Sequence, residues 1–346
     1  MADNSIHISS SPHFTFGNTT QKTMMAVIIA MIPEIIAGTV FFGLRALAAV
    51  LISTAACVIF ELLFQIVTRQ KVTVSNLSAC VTGILLALVC PSTVPFWQLV
   101  LGDAIAIIVA KGLFGGIGAN VFNPALTGRA FLFISFPAAM GATWAAPKAA
   151  DCISSATALS SLKGGTLDST SFDFFQYFLG NRAGCIGETS VILLLISFLF
   201  LLAIRVIDFR APLAMVLTVA AATFAKSIIS TADFIAAAKD VAIALLTGGI
   251  IFGATFMVTD YATAPVTKGG RLVFGFGCGL ITWLIRNFGG YPEGVMFSIL
   301  IMNAVAPFLN NITSRKYGYG KKGNRKPVSA KIVQEFDVKN SKEETK

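Results

Sequence analysis

Charged residues are scarce in this sequence. Of its 346 residues, 12% are Asp, Glu, Lys or Arg, and only two are His. Hydrophobic residues make up 55% of the chain and the mean hydropathy is +0.78. Both values lie well above those of a soluble globular domain, so the composition predicts that a lipid bilayer is the solvent.

The motifs that hold cofactors in soluble redox enzymes are also missing. The six Cys are scattered, without a Cys-x-x-Cys pair or a Cys/His cluster, so no metal or iron–sulfur site within this chain is expected. No GxGxxG motif follows a predicted strand, which argues against a nucleotide-binding domain. The net charge of +9 is concentrated in 315-RKYGYGKKGNRK-326, a pattern typical of a segment beside anionic lipid rather than of nucleic-acid binding.

What the sequence has in abundance is long apolar runs of the length that a membrane-crossing helix needs. They predict an all-α polytopic membrane protein with about ten transmembrane segments. The predicted segments are 23–44, 46–68, 77–90, 94–112, 122–142, 188–206, 211–230, 241–258, 270–288 and 294–311. The third is short, and the fifth and eighth contain Pro or Gly, which predicts broken or re-entrant helices.

The order of the segments predicts a topology. Residues 1–22 are polar and are expected to be a cytoplasmic leader without a cleavable signal peptide. An even number of crossings places both termini on one side, and a slight excess of basic residues there favours the cytoplasm. The predicted organisation is a leader (1–22), a first membrane repeat (23–142), an extracytoplasmic loop (143–187), a second membrane repeat (188–311) and a basic cytoplasmic tail (312–346).

Weak matches between the two halves suggest internal symmetry. Thr82-Gly83 is matched by Thr247-Gly248, and 115-GGIGANVFNPA-125 by 288-FGGYPEGVMF-297, at a nearly constant offset. Five crossings per half give the halves opposite orientations, so the sequence predicts two inverted five-helix repeats with broken helices that meet inside the membrane.

Six stretches together resemble one family. They are 10-SSPHF-14, 112-GLFGGIGANVFNPALTG-128, 151-DCISSAT-157, 184-GCIGETS-190, 259-TDYATAPVT-267 and 288-FGGYPEGVMFSILIMNAVAP-307. Their order and spacing resemble the D subunits of Rnf ferredoxin:NAD+ oxidoreductase complexes and, more distantly, the B subunits of sodium-translocating NADH:quinone oxidoreductases. The resemblance implies a component of a redox-driven pump for Na+ or H+ in the bacterial cytoplasmic membrane.

The resemblance also implies a covalent cofactor. In the family, FMN is attached through its phosphate to a Thr that ends an Asp…Ser-Gly-Ala-Thr motif. The matching positions here are Asp151, Ser154, Ser155, Ala156 and Thr157, with Ser155 in place of the common Gly. Thr157 is therefore the expected attachment site, on a loop with the small residues and solvent access that such a bond needs. A serine- and threonine-rich loop is, on its own, more often only a connector.

Two further residues are candidates for cofactor contact. Asn123 precedes Pro124, which frees a backbone carbonyl where an ion or a flavin edge can dock. Arg129 lies in an apolar run, where a charge needs a partner. One interpretation is that Arg129 stabilises a flavin phosphate or reduced ring. The alternative is snorkelling, or an ion pair with Glu188 or Asp103.

Polar residues near the predicted breaks are candidates for an ion pathway. Asp260 and Glu293 border the broken helix of the second half, and Asn303 lies in its last segment. Glu61 and Asp208 lie at segment ends and are expected to be solvated or paired. No signature of a sodium site can be extracted, because backbone carbonyls are among the ligands of Na+.

The chain is too small to carry out the whole reaction. The resemblance implies iron–sulfur subunits, a second subunit with covalent flavin, two further membrane subunits and a flavin transferase, and it allows for riboflavin or a second flavin in this chain. The broken helices and the repeat alone would also suit a small-solute channel or transporter, which is the alternative function.

Overall fold

A computed structural model describes residues 19–141, 174–180, 182–290 and 293–313. All regular secondary structure in these ranges is helical. The α-helices are α1 (Thr20–Phe42), α2 (Leu44–Val67), α3 (Ser78–Leu88), α4 (Phe96–Ala104), α5 (Pro124–Ser135), α6 (Pro137–Gly141), α7 (Phe174–Leu179), α8 (Val191–Ala203), α9 (Arg210–Thr231), α10 (Phe234–Leu246), α11 (Ile250–Phe252), α12 (Lys268–Phe288) and α13 (Val295–Thr313).

Two of these helices continue as π-helices: α4 as Ile105–Gly112 and α11 as Gly253–Met257. Short 3-10 turns occupy Val74–Asn76 and Ile186–Glu188. Since π-helical stretches often accompany functional sites, the polar residues beside both stretches are of particular interest.

Several helices have the length and apolarity of membrane crossings. Four qualify in the described residues, namely α1, α2, α9 and α13, and α10 with α11 forms a fifth if the bent pair is one crossing. The helices α3 and α8 are apolar but shorter. Large apolar side chains such as Ile36, Val40 and Leu51 are exposed on these helices, as expected of surfaces that face lipid. The chain is thus a multi-pass membrane protein whose described residues form helices and the turns between them.

Local sequence explains where the helices start. Asn123 caps α5 by accepting a hydrogen bond from the Leu126 N–H (3.3 Å), and Pro124 occupies the first helical position. Thr267 caps α12 in the same way, through the Gly270 N–H (3.1 Å). Pro124 therefore occupies the first position of α5 and frees no carbonyl inside that helix, contrary to expectation. The predicted break in the segment 122–142 is present at Phe136, between α5 and α6.

The predicted break in the eighth segment is present. Helix α10 ends at Leu246, Gly248 adopts a φ of +72°, and α11 leaves at an angle of 63° to α10. A positive φ is readily available only to glycine, so Gly248 permits the sharp bend. The predicted start of this segment, residue 241, is wrong because α10 begins at Phe234 and includes Lys239 and Asp240.

The segment after the long loop enters the protein between its two halves. The Ile186 N–H donates to the carbonyl of Cys90 just beyond α3 (3.2 Å). A Cβ on Gly187 would lie 2.8 Å from both Leu88 and Phe252, so only glycine fits between α3 and α11. This close packing fixes Cys185 and Glu188 in the interior, beside the break between α10 and α11.

Candidate functional sites at the broken helices

The predicted flavin-attachment motif lies outside the described residues. This applies to Asp151, Ser154, Ser155, Ala156 and the acceptor Thr157. The described chain resumes at Phe174, and after residue 181 it continues from Arg182 into the interior. Two sites lie within the described residues. One is a cluster of charged side chains around Arg129 of α5, and the other is a cleft lined by residues that include Asn123 and Asp260.

Arg129 is the centre of the charge cluster. It projects from α5 and is only 8% exposed. Its Nη2 lies 3.3 Å from Glu293 Oε2 and 3.4 Å from Cys185 Sγ, and its Nη1 lies 3.8 Å from Glu188 Oε1. Of the two ion-pair partners considered for Arg129, the structure shows Glu188 and not Asp103. The role of Arg129 toward a flavin stays a prediction.

The two carboxylates of the cluster converge on Gly249. Glu293 Oε1 accepts a hydrogen bond from the Gly249 N–H, at the start of α11. A Cβ on Gly249 would lie 2.8 Å from Glu293 Oε1 and would also clash with Glu188 Oε1. Glycine is therefore needed here for close approach. A carboxylate at a helix N-terminus is favoured by the unpaired N–H groups and the helix dipole.

Two more arginines donate hydrogen bonds to backbone carbonyls at the C-terminal end of α10, where the helix is broken. Arg286 donates to the carbonyls of Ala244 (2.7 Å) and Thr247 (3.1 Å), at the C-terminus of α10. Arg182 donates to the carbonyls of Leu246 and Glu188. A break inside a membrane protein leaves backbone groups that need partners, and cations stabilise the C-terminal end of a helix.

The cluster as a whole is positive. Arg129, Arg182 and Arg286 supply three positive charges against the two carboxylates of Glu188 and Glu293, so its net charge is +1 when all are ionised. The Nε atoms of Arg129 and Arg286 are buried and have no hydrogen-bond partner among the described residues. Of this cluster, Arg182 and Glu188 come soonest after Thr157 in the sequence, whereas Arg129 precedes it.

A separate cleft, with a cavity volume of about 90 Å³, contains Asn123 and Asp260. This volume is below the usual range of about 300–1,000 Å³ for small-molecule sites. The lining is mostly apolar, and its polar members include Ser78, Thr82, Lys111, Asn120, Asn123, Thr259, Asp260 and Tyr261. Asn123 uses its oxygen to cap α5, and its amide nitrogen has only a sulfur neighbour, Met257 Sδ at 3.9 Å. That amide remains able to donate to a ligand.

The structure separates the three residues proposed for an ion pathway. Glu293 lies at the N-terminal end of α11, and Asp260 lies just beyond its π-helical continuation, in the cleft. Burial raises the pKa of Asp260, an effect partly opposed by hydrogen bonds from the Ala262 N–H and the Thr263 hydroxyl. Asn303 is 1% exposed in α13, and its side-chain amide has no hydrogen-bond partner among the described residues.

Two further features were not predicted as parts of sites. Lys111 lies on the π-helix after α4 and forms a buried ion pair with Glu61 of α2 (2.9 Å) and a hydrogen bond to Ser78 (2.6 Å). Cys185 contacts Arg129. The expectation that Glu61 and Asp208 are paired is confirmed, because Asp208 binds both Arg210 (2.6 Å) and Arg271 (2.8 Å). The position of Lys111 at the end of an apolar run was the sequence feature that could have indicated a buried ion pair.

Comparison with known proteins gives the family. The sequence model of the NQR2, RnfD, RnfE family matches residues 7–318. The chain is 40% identical over 324 residues to the D subunit of the Na(+)-translocating ferredoxin:NAD(+) oxidoreductase complex of Acetobacterium woodii, an alignment that covers 93% of this chain and 98% of that relative.

Two other relatives agree over similar lengths. The D subunit of the proton-translocating ferredoxin:NAD(+) oxidoreductase complex of Clostridium ljungdahlii is 38% identical, with 88% of this chain and 94% of the relative covered. The D subunit of the ion-translocating oxidoreductase complex of Stutzerimonas stutzeri is 35% identical, with 90% and 96% covered. On these matches, the chain belongs to the NQR2, RnfD, RnfE family.

Proposed function

We propose that this chain is the D subunit, embedded in the membrane, of an ion-translocating ferredoxin:NAD+ oxidoreductase, a redox-driven pump of the bacterial cytoplasmic membrane. The observation that carries the proposal is the 40% identity across 93% of the chain to a component of such a complex. A small-solute channel or transporter is disfavoured, because the relatives compared above are all named as subunits of oxidoreductase complexes.

The proposed architecture is ten crossings in two inverted five-helix repeats. It is supported by the way the helices pair. In the first half α2 packs on α3 and α4, and α4 on α5; in the second half α9 packs on α10 and α12, and α12 on α13. Between the halves, α1 packs on α8 and α5 packs on α13. A pseudo-twofold axis would pair the first helix of one repeat with the first helix of the other, and likewise the last helices.

In this proposal FMN is attached through its phosphate to Thr157, in the loop 143–187 on the outer face. The support is the motif from Asp151 to Thr157, and the net positive charge of the cluster around Arg129 suits an anionic ligand. The flavin supplies the electron chemistry. Arg129 would place a fixed positive charge near a flavin phosphate or a reduced ring, while Glu188 and Glu293 hold its guanidinium in position.

The cleft is proposed to hold a second, non-covalent flavin such as riboflavin. It has apolar walls and a few converging polar groups, and the Asn123 amide nitrogen has only a sulfur neighbour. With a volume of about 90 Å³, the cleft would have to widen to admit a flavin. Asp260 lies in the same cleft, and Glu293 and Asn303 lie in or before α13. In the proposal these three residues contribute polar groups to a path for Na+ or H+ beside the flavins.

The partners would be the other subunits of the complex. Iron–sulfur subunits, a second subunit with covalent flavin and two further membrane subunits would supply ferredoxin and NAD+ binding and the remaining electron carriers. A flavin transferase would act on the loop, and the basic tail after residue 311 would lie against anionic lipid in the cytoplasm.

The proposal is tested by deleting the chain from its host and assaying membrane vesicles. We expect loss of ferredoxin-dependent NAD+ reduction together with the coupled uptake of Na+ or H+, and restoration of both by the wild-type chain. Retention of both activities without the chain would contradict the proposal. Loss of transport of one solute, with normal electron transfer, would support the transporter alternative.

A further inference from the structure

A second polar site lies inside the first half, apart from the charge cluster and the cleft. It is built around Asp103 of α4, which is completely buried, as are Ser53 and Cys57 of α2. Asp103 Oδ1 lies 2.6 Å from Ser53 Oγ and 3.3 Å from Cys57 Sγ. Ser53 Oγ also lies 2.9 Å from the carbonyl oxygen of Gly83 in α3.

The hydrogen count around Ser53 does not suit an ionised Asp103. A serine hydroxyl carries one hydrogen and can donate to one acceptor, yet two acceptor oxygens lie within hydrogen-bond distance of Ser53 Oγ. If Ser53 donates to Gly83, the short contact to Asp103 lacks a hydrogen unless Asp103 itself carries one. A proton on Asp103, or a small cation among the three oxygens, resolves the count.

Asp103 also lacks a counter-ion. None of the ion pairs among the described residues includes it, and its Oδ2 is buried without a hydrogen-bond partner. Lys111 lies about two turns further along the same helical stretch and is already paired with Glu61. The thiols of Cys57 and Cys90 are the nearest other ionisable groups, and Cys90 also interacts with Arg129 and Glu188. Arg129 is already paired with Glu188 and Glu293. A buried carboxylate without a positive neighbour is neutralised rather than left charged.

Close helix packing shields the site. A Cβ on Gly83 would lie 2.7 Å from both the Ser53 carbonyl oxygen and Thr54 Cα, and a Cβ on Gly128 would lie 2.7 Å from the Gly102 carbonyl oxygen. The glycines thus bring α3 and α5 against α2 and α4. The π-helix begins at Ile105, two residues beyond Asp103, so the backbone next to the site departs from regular α-helical hydrogen bonding.

We propose that Asp103, Ser53 and the Gly83 carbonyl form a binding site for one exchangeable monovalent cation, H+ or Na+. Both ions supply the single positive charge that the three oxygens require. Carboxylate, hydroxyl and carbonyl oxygens are hard ligands that suit either ion. The role of this site in pumping rests on the proposed function, but its occupancy does not, since it can be measured without turnover.

The test is labelling of the purified complex with dicyclohexylcarbodiimide, which reacts with protonated carboxyl groups in apolar surroundings, followed by peptide mass spectrometry. It is performed in KCl and in NaCl at equal ionic strength and pH. Glu34, which is completely buried with both oxygens unpartnered, reports whether the reagent reaches the interior. Asp208, held ionised by Arg210 and Arg271, is the matched negative control.

We expect an adduct on Asp103 in KCl and none on Asp208. A tenfold or greater decrease in NaCl identifies the ion as Na+, and equal labelling in both salts identifies it as H+. The infrared spectrum of wild type minus Asp103→Asn is recorded alongside in KCl, and it should contain a protonated carboxyl band. Absence of both the adduct and this band, while Glu34 is labelled, would overturn the proposal. In turnover, Asp103→Asn should keep the flavins and lose most ion uptake.

Discussion

Arg129 and Glu293 are 164 residues apart in the sequence and form a buried salt bridge of 3.3 Å. The bridge connects α5 to the segment that begins α13, and through the Gly249 N–H it also reaches the start of α11. The charge cluster therefore links the two halves of the chain at the point where α10 and α11 are broken. Removing one charge from it should affect stability as well as any flavin nearby.

Replacing Arg129 with Leu should destabilise the protein strongly. Glu188 and Glu293 would lose their shared cation, and breaking a buried pair in this way typically costs about 3–5 kcal/mol. Arg129→Lys should cost less, because it retains the charge but not the planar fork that contacts several acceptors. Thermal unfolding of the detergent-solubilised complex measures both. Arg45→Leu, at an exposed arginine, is the control, and an equal effect there would show that the cluster has no special role.

Asp208 should stabilise the connection between α8, α9 and α12 in a pH-dependent way. Burial alone would raise its pKa, but hydrogen bonds from the Arg210 backbone and from the Arg271 and Arg210 guanidinium groups lower it below the usual 3.8. Because the folded-state pKa is the lower one, the contribution is complete above the unfolded-state value and is lost as pH falls through the folded-state value.

Asp208→Asn should lower the free energy of unfolding by about 1 kcal/mol at neutral pH, since the group is partly exposed. The difference from wild type should disappear in acid, once the pH falls below the lowered folded-state pKa of Asp208. Unfolding curves of both proteins at neutral and acidic pH test this. A difference that stays constant down to acid would mean that the carboxylate charge is not the cause.

The second-flavin proposal predicts a selective loss. Asn123→Ser retains a side-chain oxygen to cap α5 and removes the amide donor, so the fold should be kept. We expect the complex to lose most of the flavin that is released by denaturation and to retain the covalently bound flavin. Asn287→Ser on α12, outside the cleft, is the matched control. Unchanged release of flavin from the Asn123 variant would remove this residue from the proposed site.

The membrane orientation predicts which positions are reachable from outside. Residues 143–187 are expected on the outer face and both termini in the cytoplasm. In intact cells, a membrane-impermeant thiol reagent should label Lys163→Cys and leave Lys331→Cys unlabelled until the cells are opened. Labelling of the tail position alone would invert the topology.

The positions of the helices could be predicted because long apolar runs favour helices in a membrane protein. Each of the ten predicted segments contains helix, and the predicted break in the eighth segment is present. The start of α10 was missed because Lys239 and Asp240 resemble a loop. In the structure Asp240 lies inside the helix and accepts a hydrogen bond from Ser227 of α9 (2.6 Å). A polar partner on another helix therefore stabilises this carboxylate within α10.

The partners within the sites were harder to predict. The pairing of Arg129 with Glu188 was one of the alternatives that the sequence offered, but nothing in the sequence shows that Arg129 also meets Glu293, or that Lys111 meets Glu61. These contacts depend on how helices from distant parts of the chain pack. Ser53 and Gly83 were equally hidden, since a hydroxyl and a backbone carbonyl become a site only when two helices bring them together.

The most direct measurement of the central claim is the mass of the peptide that carries Thr157, taken from complex purified from cells that contain the flavin transferase. We predict an FMN adduct joined through its phosphate to Thr157, visible also as a fluorescent band that survives denaturation. The adduct should be absent from Thr157→Ala, with assembly unchanged because a loop hydroxyl contributes little to stability. An adduct on a neighbouring Ser or Thr, or no adduct in the wild-type protein, would contradict the assignment of Thr157 as the flavin attachment site.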